Sequence, residues 1–349
     1  MAKKWNDTRL AELRELKEQG FTFRQIAEQM DSTYDAVRNQ WRRNLKTNDE
    51  VVREAGLDPN YFKSKTINVN GSWFSRTEEA LDIETLVSEI RNEIEKEPID
   101  TDNSECYHTA NPDMIIPLFD LHIGFERSEE LYKRLQNLPK QTVANTAHVL
   151  LGGDLLHYEG QGTTASGTKI ENNPNVTEMV TEGTTFLIKL RKLLREKFAY
   201  NVQFHMVAGN HANYMENAML ATMSALGYME EQDFTATSQG FLIGNTPIAM
   251  YHGGGINGSK IKQARYFDYL YTQHPELVKH ALETGNNVVM YTGHLHFQQF
   301  NNEHNVLVKQ VPVVWKSSDY EIKNGFLGAE NMGMIDYYIT TGISHTVYY

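Results

Sequence analysis

Five short blocks constrain this chain more than anything in its composition, because each stands where a strand-like apolar run stops. Met114-Ile115-Ile116-Pro117-Leu118-Phe119 gives way to Asp120-Leu121-His122-Ile123-Gly124. His148-Val149-Leu150-Leu151 runs into Gly152-Gly153-Asp154-Leu155-Leu156-His157, and the run ending at Val207 leads to Gly209-Asn210-His211. Tyr251-His252-Gly253-Gly254 and Gly293-His294-Leu295-His296 complete the set. Strand ends on one side of a sheet converge in space, and ligands of open α/β sheets gather at the carboxyl ends of strands. Six of the 13 histidines fall in these blocks, so a set of unrelated core histidines would have to reach strand ends by accident each time. Two Asp, one Asn and several His brought together make a mixed nitrogen and oxygen cage suited to transition metals.

The residue types also point to a chemistry. A phosphodiester is attacked by hydroxide, which is scarce at neutral pH. A metal lowers the pKa of its water to roughly 7, and a second ion about 3.5–4 Å away stabilises the attacked oxygens. Two ions that close need one shared carboxylate and several neutral ligands. Two Asp with Asn and His supply that pattern and leave the site attractive to phosphate.

In this order the blocks resemble the calcineurin-like metallophosphoesterase superfamily, over roughly Asp113 to the C-terminus. The resemblance implies an α/β fold, a four-layer α/β/β/α sandwich. It implies that Asp120, His122 and His296 hold a first metal, that Asp154 bridges, and that Asn210, His252 and His294 hold a second. His211 would then stabilise or protonate the leaving oxygen, a task suited to histidine near neutral pH. Two divalent ions are expected as cofactors, manganese first, with iron or zinc as alternatives because imidazole accepts several metals. His157, three residues after Asp154, is similar to a histidine of the double-strand-break-repair nuclease branch that lines the substrate side. Ser/Thr phosphatases of the superfamily show G-D-x-V-D-R-G and later G-N-H-E. Here the Asp-Arg-Gly is missing and Ala212 follows His211. Pro117, inside the strand before the first ligands, departs from the nuclease pattern.

At 349 residues the chain exceeds one ordinary domain, so a catalytic domain with an appendage is expected. The divisions expected are 1–47, 48–112 and 113–349. A chain 40% hydrophobic and 22% charged is globular, and its apolar runs are too short to span a bilayer. No apolar segment follows Lys3-Lys4, so no signal peptide is expected. The single cysteine, Cys106, excludes an intrachain disulfide framework. Together these predict a cytoplasmic protein with no membrane partner.

Charge divides the chain. Residues 1–48 hold ten Lys/Arg and seven Asp/Glu, a net of +3, and the remainder holds 23 and 38, a net of −15. Lys/Arg contacts to phosphate supply most non-specific affinity for nucleic acid, so DNA docking must come from the basic end or a local patch. That end reads as three short helices. Asp7 caps the first, to about Gln19, with Leu10, Leu13 and Leu16 along one face. Gly20 ends it, and Thr22 caps a second, Phe23 to Met30, with Ile26, Ala27 and Met30 inward. A third, Tyr34 to about Leu45, buries Val37 and Trp41 and exposes Arg38, Asn39, Gln40, Arg42 and Arg43. The pattern resembles a helix-turn-helix of the homeodomain-like or Myb-like kind, and a small protein-interaction module is the alternative. Arg with Asn or Gln makes bidentate contacts to guanine and adenine. One module of this size rarely binds tightly alone, which implies a homo-oligomer or a second contact surface.

The connector carries a hairpin signal at Asn70-Gly71 between Lys65 and Phe74. It also carries a helix from Ile83 to Lys96, with Leu86, Val87, Ile90 and Ile94 on one side. In the body, helices are predicted over Ser128 to about Thr146 and Val176 to about Lys197. A hairpin is predicted at Gly244-Asn245, a strand from Asn287 to Tyr291, and a β-rich tail including Val306-Leu307-Val308 and Pro312-Val313-Val314-Trp315. The Gly- and Thr-rich stretch 160–168 reads as a surface loop or a phosphate contact. The leading expectation is a metal-dependent DNA nuclease of phage or mobile-element type, docked by its helix-turn-helix. A small-nucleotide phosphodiesterase or phosphatase and a DNA-binding regulator with a non-catalytic metal site are the alternatives.

Overall fold

Local capping sets the first three helices. The structure, a computed structural model, describes residues 5–41, 66–69, 72–75, 83–96, 111–124, 127–139, 143–157, 176–211, 213–253, 266–296, 298–303, 305–314, 333–339 and 342–349. Helix α1 spans Asp7–Glu18, and its cap is Asn6 rather than Asp7: the Asn6 side chain accepts from the Arg9 amide at 3.0 Å. Asn6 is still extended while Asp7 is already helical, and only the extended residue can reach back to the open amides. Helix α2, Phe23–Gln29, opens with a reciprocal capping box between Thr22 and Gln25. Thr33 caps α3, Tyr34–Gln40. Leu13, Ile26, Ala27, Met30 and Val37 form the core, flanked by Leu16, Phe23 and Trp41.

Arg38, Asn39 and Gln40 are half-buried rather than exposed. Arg38 reaches within 3.9 Å of Glu231, for Met1–Asp102 and Ala218–Glu231 cluster as one compact unit. Arg42, Arg43 and the rest of the helix predicted to reach Leu45 lie outside the described residues. In the connector, β1, Thr66–Val69, pairs antiparallel with β2, Ser72–Ser75; the Asn70-Gly71 turn lies outside the described residues. Helix α4, Ile83–Lys96, buries Leu86, Val87, Ile90 and Ile94 on its apolar stripe.

The second unit comprises Asn103–Asn217 and Gln232–Tyr349. It begins with β3, Asp113–Leu118, then α5, Arg127–Asn137, and β4, Ala144–Leu151. The helix predicted to reach Thr146 therefore stops at Asn137: Pro139 cannot continue it, and from Ala144 the chain joins a sheet. Next come α6, Val176–Lys197, β5, Ala199–Met206, and α7, Asn213–Ala225. Strands β6, Ser238–Ile243, and β7, Thr246–Tyr251, make the hairpin predicted at Gly244-Asn245. Helices α8, Tyr266–Gln273, and α9, Pro275–Thr284, lead to β8, Val288–Thr292. Strands β9, Gln299–Glu303, β10, Val306–Gln310, β11, Met334–Ile339, and β12, Gly342–Tyr348, follow. Pro312-Val313-Val314 is buried but not a strand, and Trp315 and the 160–168 stretch lie outside the described residues.

Two mixed sheets result, ordered β12-β11-β3-β4-β5 and β6-β7-β8-β10-β9. Period-two alternation explains how they stack. Ile248 and Met250 of β7 and Val289 and Tyr291 of β8 meet Ile115, Leu150 and Tyr338 of the other sheet. The residues between them, Ala249, Tyr251, Val288 and Met290, pack under α8 and α9. With α5 and α6 on the first sheet, the body is a four-layer α/β/β/α sandwich. Lys309 of β10 and Asp336 of β11 pin the sheets together through a buried 2.6 Å ion pair, and the Tyr291 hydroxyl donates to the same carboxylate. In a buried pair of this kind desolvation offsets much of the attraction. Pro117 fits because Leu118 turns its carbonyl to β4, so Pro117 points its missing donor toward β11, whose pairing stops at Ile115.

Candidate metal centre

Strands β3, β4 and β5 are parallel, as are β7 and β8, and every sequence block lies just past the carboxyl end of one of these five. Asp120 and His122 follow β3, Asp154 and His157 follow β4, and Asn210 and His211 follow β5. His252 follows β7, and His294 and His296 follow β8. Two bonds tie the ends of the two sheets: the His294 amide donates to Asp120 Oδ2 at 2.7 Å, and His252 Nδ1 donates to the Gly152 carbonyl at 2.9 Å.

The backbone here leaves the ordinary regions. Asp120, His122, Asp154, His294 and His296 all have φ between 45° and 71°. They are five of the seven non-glycine residues with positive φ among those described, so the strain is concentrated in the candidate ligands. Each such residue costs on the order of 1–3 kcal/mol, a cost borne by the surrounding hydrogen bonds. Two glycines make room. A Cβ on Gly209 would collide with the Asp154 carboxylate, and one on Gly293 would come within 2.6 Å of Asp120 Oδ2.

Among the described residues, three overlapping groups of side chains can hold an ion: Asp120 with His122 and His296, His122 with Asp154 and His211, and Asp120 with Asp154 and His252. Within each, the candidate ligand atoms lie within 4.8 Å of one another. Asn210 Oδ1 joins them at 2.8 Å from His252 Nε2. His294 stacks edge-on to His252, ring centroids 5.2 Å apart, and belongs to none of the three groups. His211, predicted to stand outside the ligand shells, belongs to one of these candidate groups, and its ring centroid is 4.6 Å from that of His122. His211 Nδ1 also lies 3.3 Å from the His157 carbonyl, and the His157 ring meets His122 edge-on at 5.6 Å.

Electrostatics favours a cation. Asp120 and Asp154 are 0% and 1% exposed. Burial works to raise the Asp154 pKa, but His252, with Nε2 3.2 Å from Oδ2, holds it well below the usual carboxylate range. His252 is in turn pushed up to about 9, the Asp154 charge outweighing its own burial. Burial and then His211 push His122 well below its usual value, and its Nδ1 is buried with no hydrogen-bond partner. Burial, then His252, lowers His294. Buried carboxylates, a neutral imidazole with an unpartnered ring nitrogen and a His252 ring oriented by a carbonyl fit divalent metal binding, which displaces the His252 proton.

One residue at the site was missed by the sequence reasoning. Glu216 of α7 is 1% exposed and accepts from the Leu155 and Leu156 amides at 2.8 and 3.3 Å. Burial and then the Asp154 charge push it up to about 8, against the pull of those amides. The signal available was its isolation, for it is the only charged residue in Asn213–Ala225.

Carboxylates, imidazoles and one amide at the carboxyl ends of both sheets of an α/β/β/α sandwich define a metal-dependent hydrolase of phosphoric esters. Residues 120–314 match the family model for calcineurin-like phosphoesterases, and the chain belongs to that family. Among solved structures it is similar to a Vps29 single mutant from Entamoeba histolytica, 11% identical over 68% of this chain and 99% of that one, with a TM-score of 0.30. It is similar to YfcE, a phosphoesterase from E. coli, 14% identical over 67% and 98%, TM-score 0.32. It is also similar to the purple acid phosphatase PPD1 from yellow lupin, 7% identical over 69% and 54%, TM-score 0.32. No curated protein matches it. Among the described residues, no helix is long and apolar enough to cross a membrane.

Proposed function

We propose that the chain is a two-metal phosphodiesterase acting on nucleic acid, a DNA nuclease brought to its substrate by the three N-terminal helices. The observation that carries the reading is the convergence of all five strand-end blocks, with Asp120, His122 and Asp154 each shared between two of the ligand groups. Asp120, His122 and His296 would hold one ion, Asn210, His252 and His294 the other, and Asp154 both. Manganese is the expected metal, with iron or zinc as alternatives. Divalent ions held this way supply Lewis acidity at the phosphoryl oxygens and bring the pKa of water toward neutrality.

The chain's own residues do the rest. His252 Nδ1, donating to the Gly152 carbonyl, keeps Nε2 turned to the carboxylates. The Asn210 and His211 amides donate to Asp154 Oδ1 at 2.6 and 2.8 Å and fix its rotamer. His211, anchored through Nδ1 at the His157 carbonyl, turns Nε2 to the leaving oxygen and protonates it. His157 sits half-buried beside His122 and contacts substrate. A basic N-terminal segment with three capped helices supports docking to DNA through Arg38, Asn39, Gln40, Arg42 and Arg43, as a homo-oligomer or with a second surface.

A net charge of −15 on the residues after 48 favours a second reading, a phosphodiesterase of small nucleotides. Incubation of the full chain with Mn²⁺ and single- and double-stranded DNA, RNA and cyclic dinucleotides separates the two. Cleavage of DNA supports the nuclease; turnover of cyclic dinucleotides with DNA untouched overturns it.

A further inference from the structure

Glu216 is a buried carboxyl with no part in the ligand set above. Its Oε1 is buried without a hydrogen-bond partner, and its Oε2 takes two backbone donors. Burying such a group is costly, so what it holds matters. The two amides belong to Leu155 and Leu156, the residues that follow Asp154. The opposite edge of this segment is stitched to the loop after β3. The Asp120, His122 and Ile123 amides donate to the Gly153, Asp154 and Leu155 carbonyls at 3.1, 2.9 and 2.8 Å, and the His157 amide donates to the Ile123 carbonyl at 3.1 Å. The Leu155 and Leu156 donors on the helix side go to Glu216.

The arrangement joins three ligand-bearing segments through one side chain. Helix α7 starts at Asn213, just past Asn210-His211. Its Glu216 carboxyl grips 155–156, and that segment grips 120–123. Asp154 has a φ of 53°, a conformation a non-glycine residue keeps only when its surroundings over-determine it. Released from Glu216, the Leu155 and Leu156 peptides would be held on one edge alone, through the Asp154 and Leu155 carbonyls, and the backbone that aims Asp154 would loosen.

We propose that Glu216 is a positioning residue of the metal centre: it fixes the peptides after Asp154 and through them aims the Asp154 carboxylate and the His157 ring. The inference rests on the reading of the centre as one that holds divalent ions. Glu216 acts through the backbone, so an acceptor of the same reach can replace it. Gln keeps an oxygen for both amides. Ala leaves two buried donors without an acceptor, and Asp keeps the carboxyl group but falls short by one methylene.

The test is calorimetric titration of the full chain with Mn²⁺, for the parent protein, Glu216→Ala, Glu216→Gln and Glu216→Asp, beside thermal melts. Val202→Ala, a buried β5 truncation away from the ligands, controls for reduced stability. Removal of a partner that orients metal ligands costs about 10–100-fold in metal affinity. A loss of that size is expected in Glu216→Ala, a smaller one in Glu216→Asp, and affinity near that of the parent in Glu216→Gln and Val202→Ala. Should Glu216→Ala fail to fold, Glu216→Asp against Glu216→Gln carries the comparison. Parental affinity in Glu216→Ala or Glu216→Asp, or a loss in Glu216→Gln as large as theirs, overturns the inference while leaving the metal reading intact. A parent protein that takes up no Mn²⁺ overturns both.

Discussion

The strand-end loops of the body and the three N-terminal helices obey opposite rules. In the helices nearly every residue follows its local preference: Asn6, Thr22 and Thr33 cap, and Gly20 takes the positive φ that glycine tolerates. Asp31 is the one non-glycine residue there with positive φ. In the loops, five aspartates and histidines are held in left-handed conformations and both carboxylates are buried. Strain of this kind accumulates where side chains must be aimed at a common point rather than where the chain merely turns. The contrast teaches that these loops are shaped by where their side chains must point, and it predicts different responses to the same kind of change.

The largest effect is expected from a methyl group added to glycine. Gly209→Ala places Cβ against the Asp154 carboxylate, so metal uptake and phosphodiester hydrolysis should both fall to background. Gly20→Ala meets nothing within 4 Å and should cost only the left-handed strain, about 1–2 kcal/mol, with hydrolysis unchanged. Full activity in Gly209→Ala would remove the contrast.

Next comes His211, where geometry admits two roles. As the acid, His211→Ala should keep its metals and lose about 10²–10⁴-fold in rate, less on a nitrophenyl ester whose leaving group needs no proton. His157→Ala should harm DNA cleavage more than ester hydrolysis. Loss of metal in His211→Ala would instead make His211 the ligand that its grouping with His122 and Asp154 allows.

The smallest effect on chemistry should come from the helices themselves. Removing residues 1–48 strips ten Lys/Arg. DNA binding should weaken, and its salt slope should shrink by roughly 0.9 for each phosphate that the truncated chain no longer neutralises. Ester hydrolysis should persist, since no candidate ligand lies before Asp120. Unchanged DNA affinity would make the segment a protein-interaction module.

What the sequence discloses follows the same contrast. The five blocks are legible because Gly, Asp and His interrupt apolar runs, and α4 is legible because Leu86, Val87, Ile90 and Ile94 repeat at helical spacing. Helix α7 is not: Asn213–Ala225 is nearly uniform in small and apolar residues, and the role of Glu216 depends on amides 60 and 61 positions away. The pairing of Arg38 with Glu231 likewise joins residues far apart along the chain. Nor does spacing reveal that His211 lies as near His122 as a ligand would. Local signals carry caps and stripes, whereas aim is a property of the assembled sheets.

The central claim is that the strand ends build one metal centre around Asp154, and metal content in Asp154→Ala tests it most directly. The parent protein, purified with Mn²⁺ and analysed by elemental spectrometry, should hold about two ions per chain. Asp154→Ala should hold none and hydrolyse no phosphodiester, with a circular dichroism spectrum like that of the parent. Two ions retained in Asp154→Ala would contradict the account.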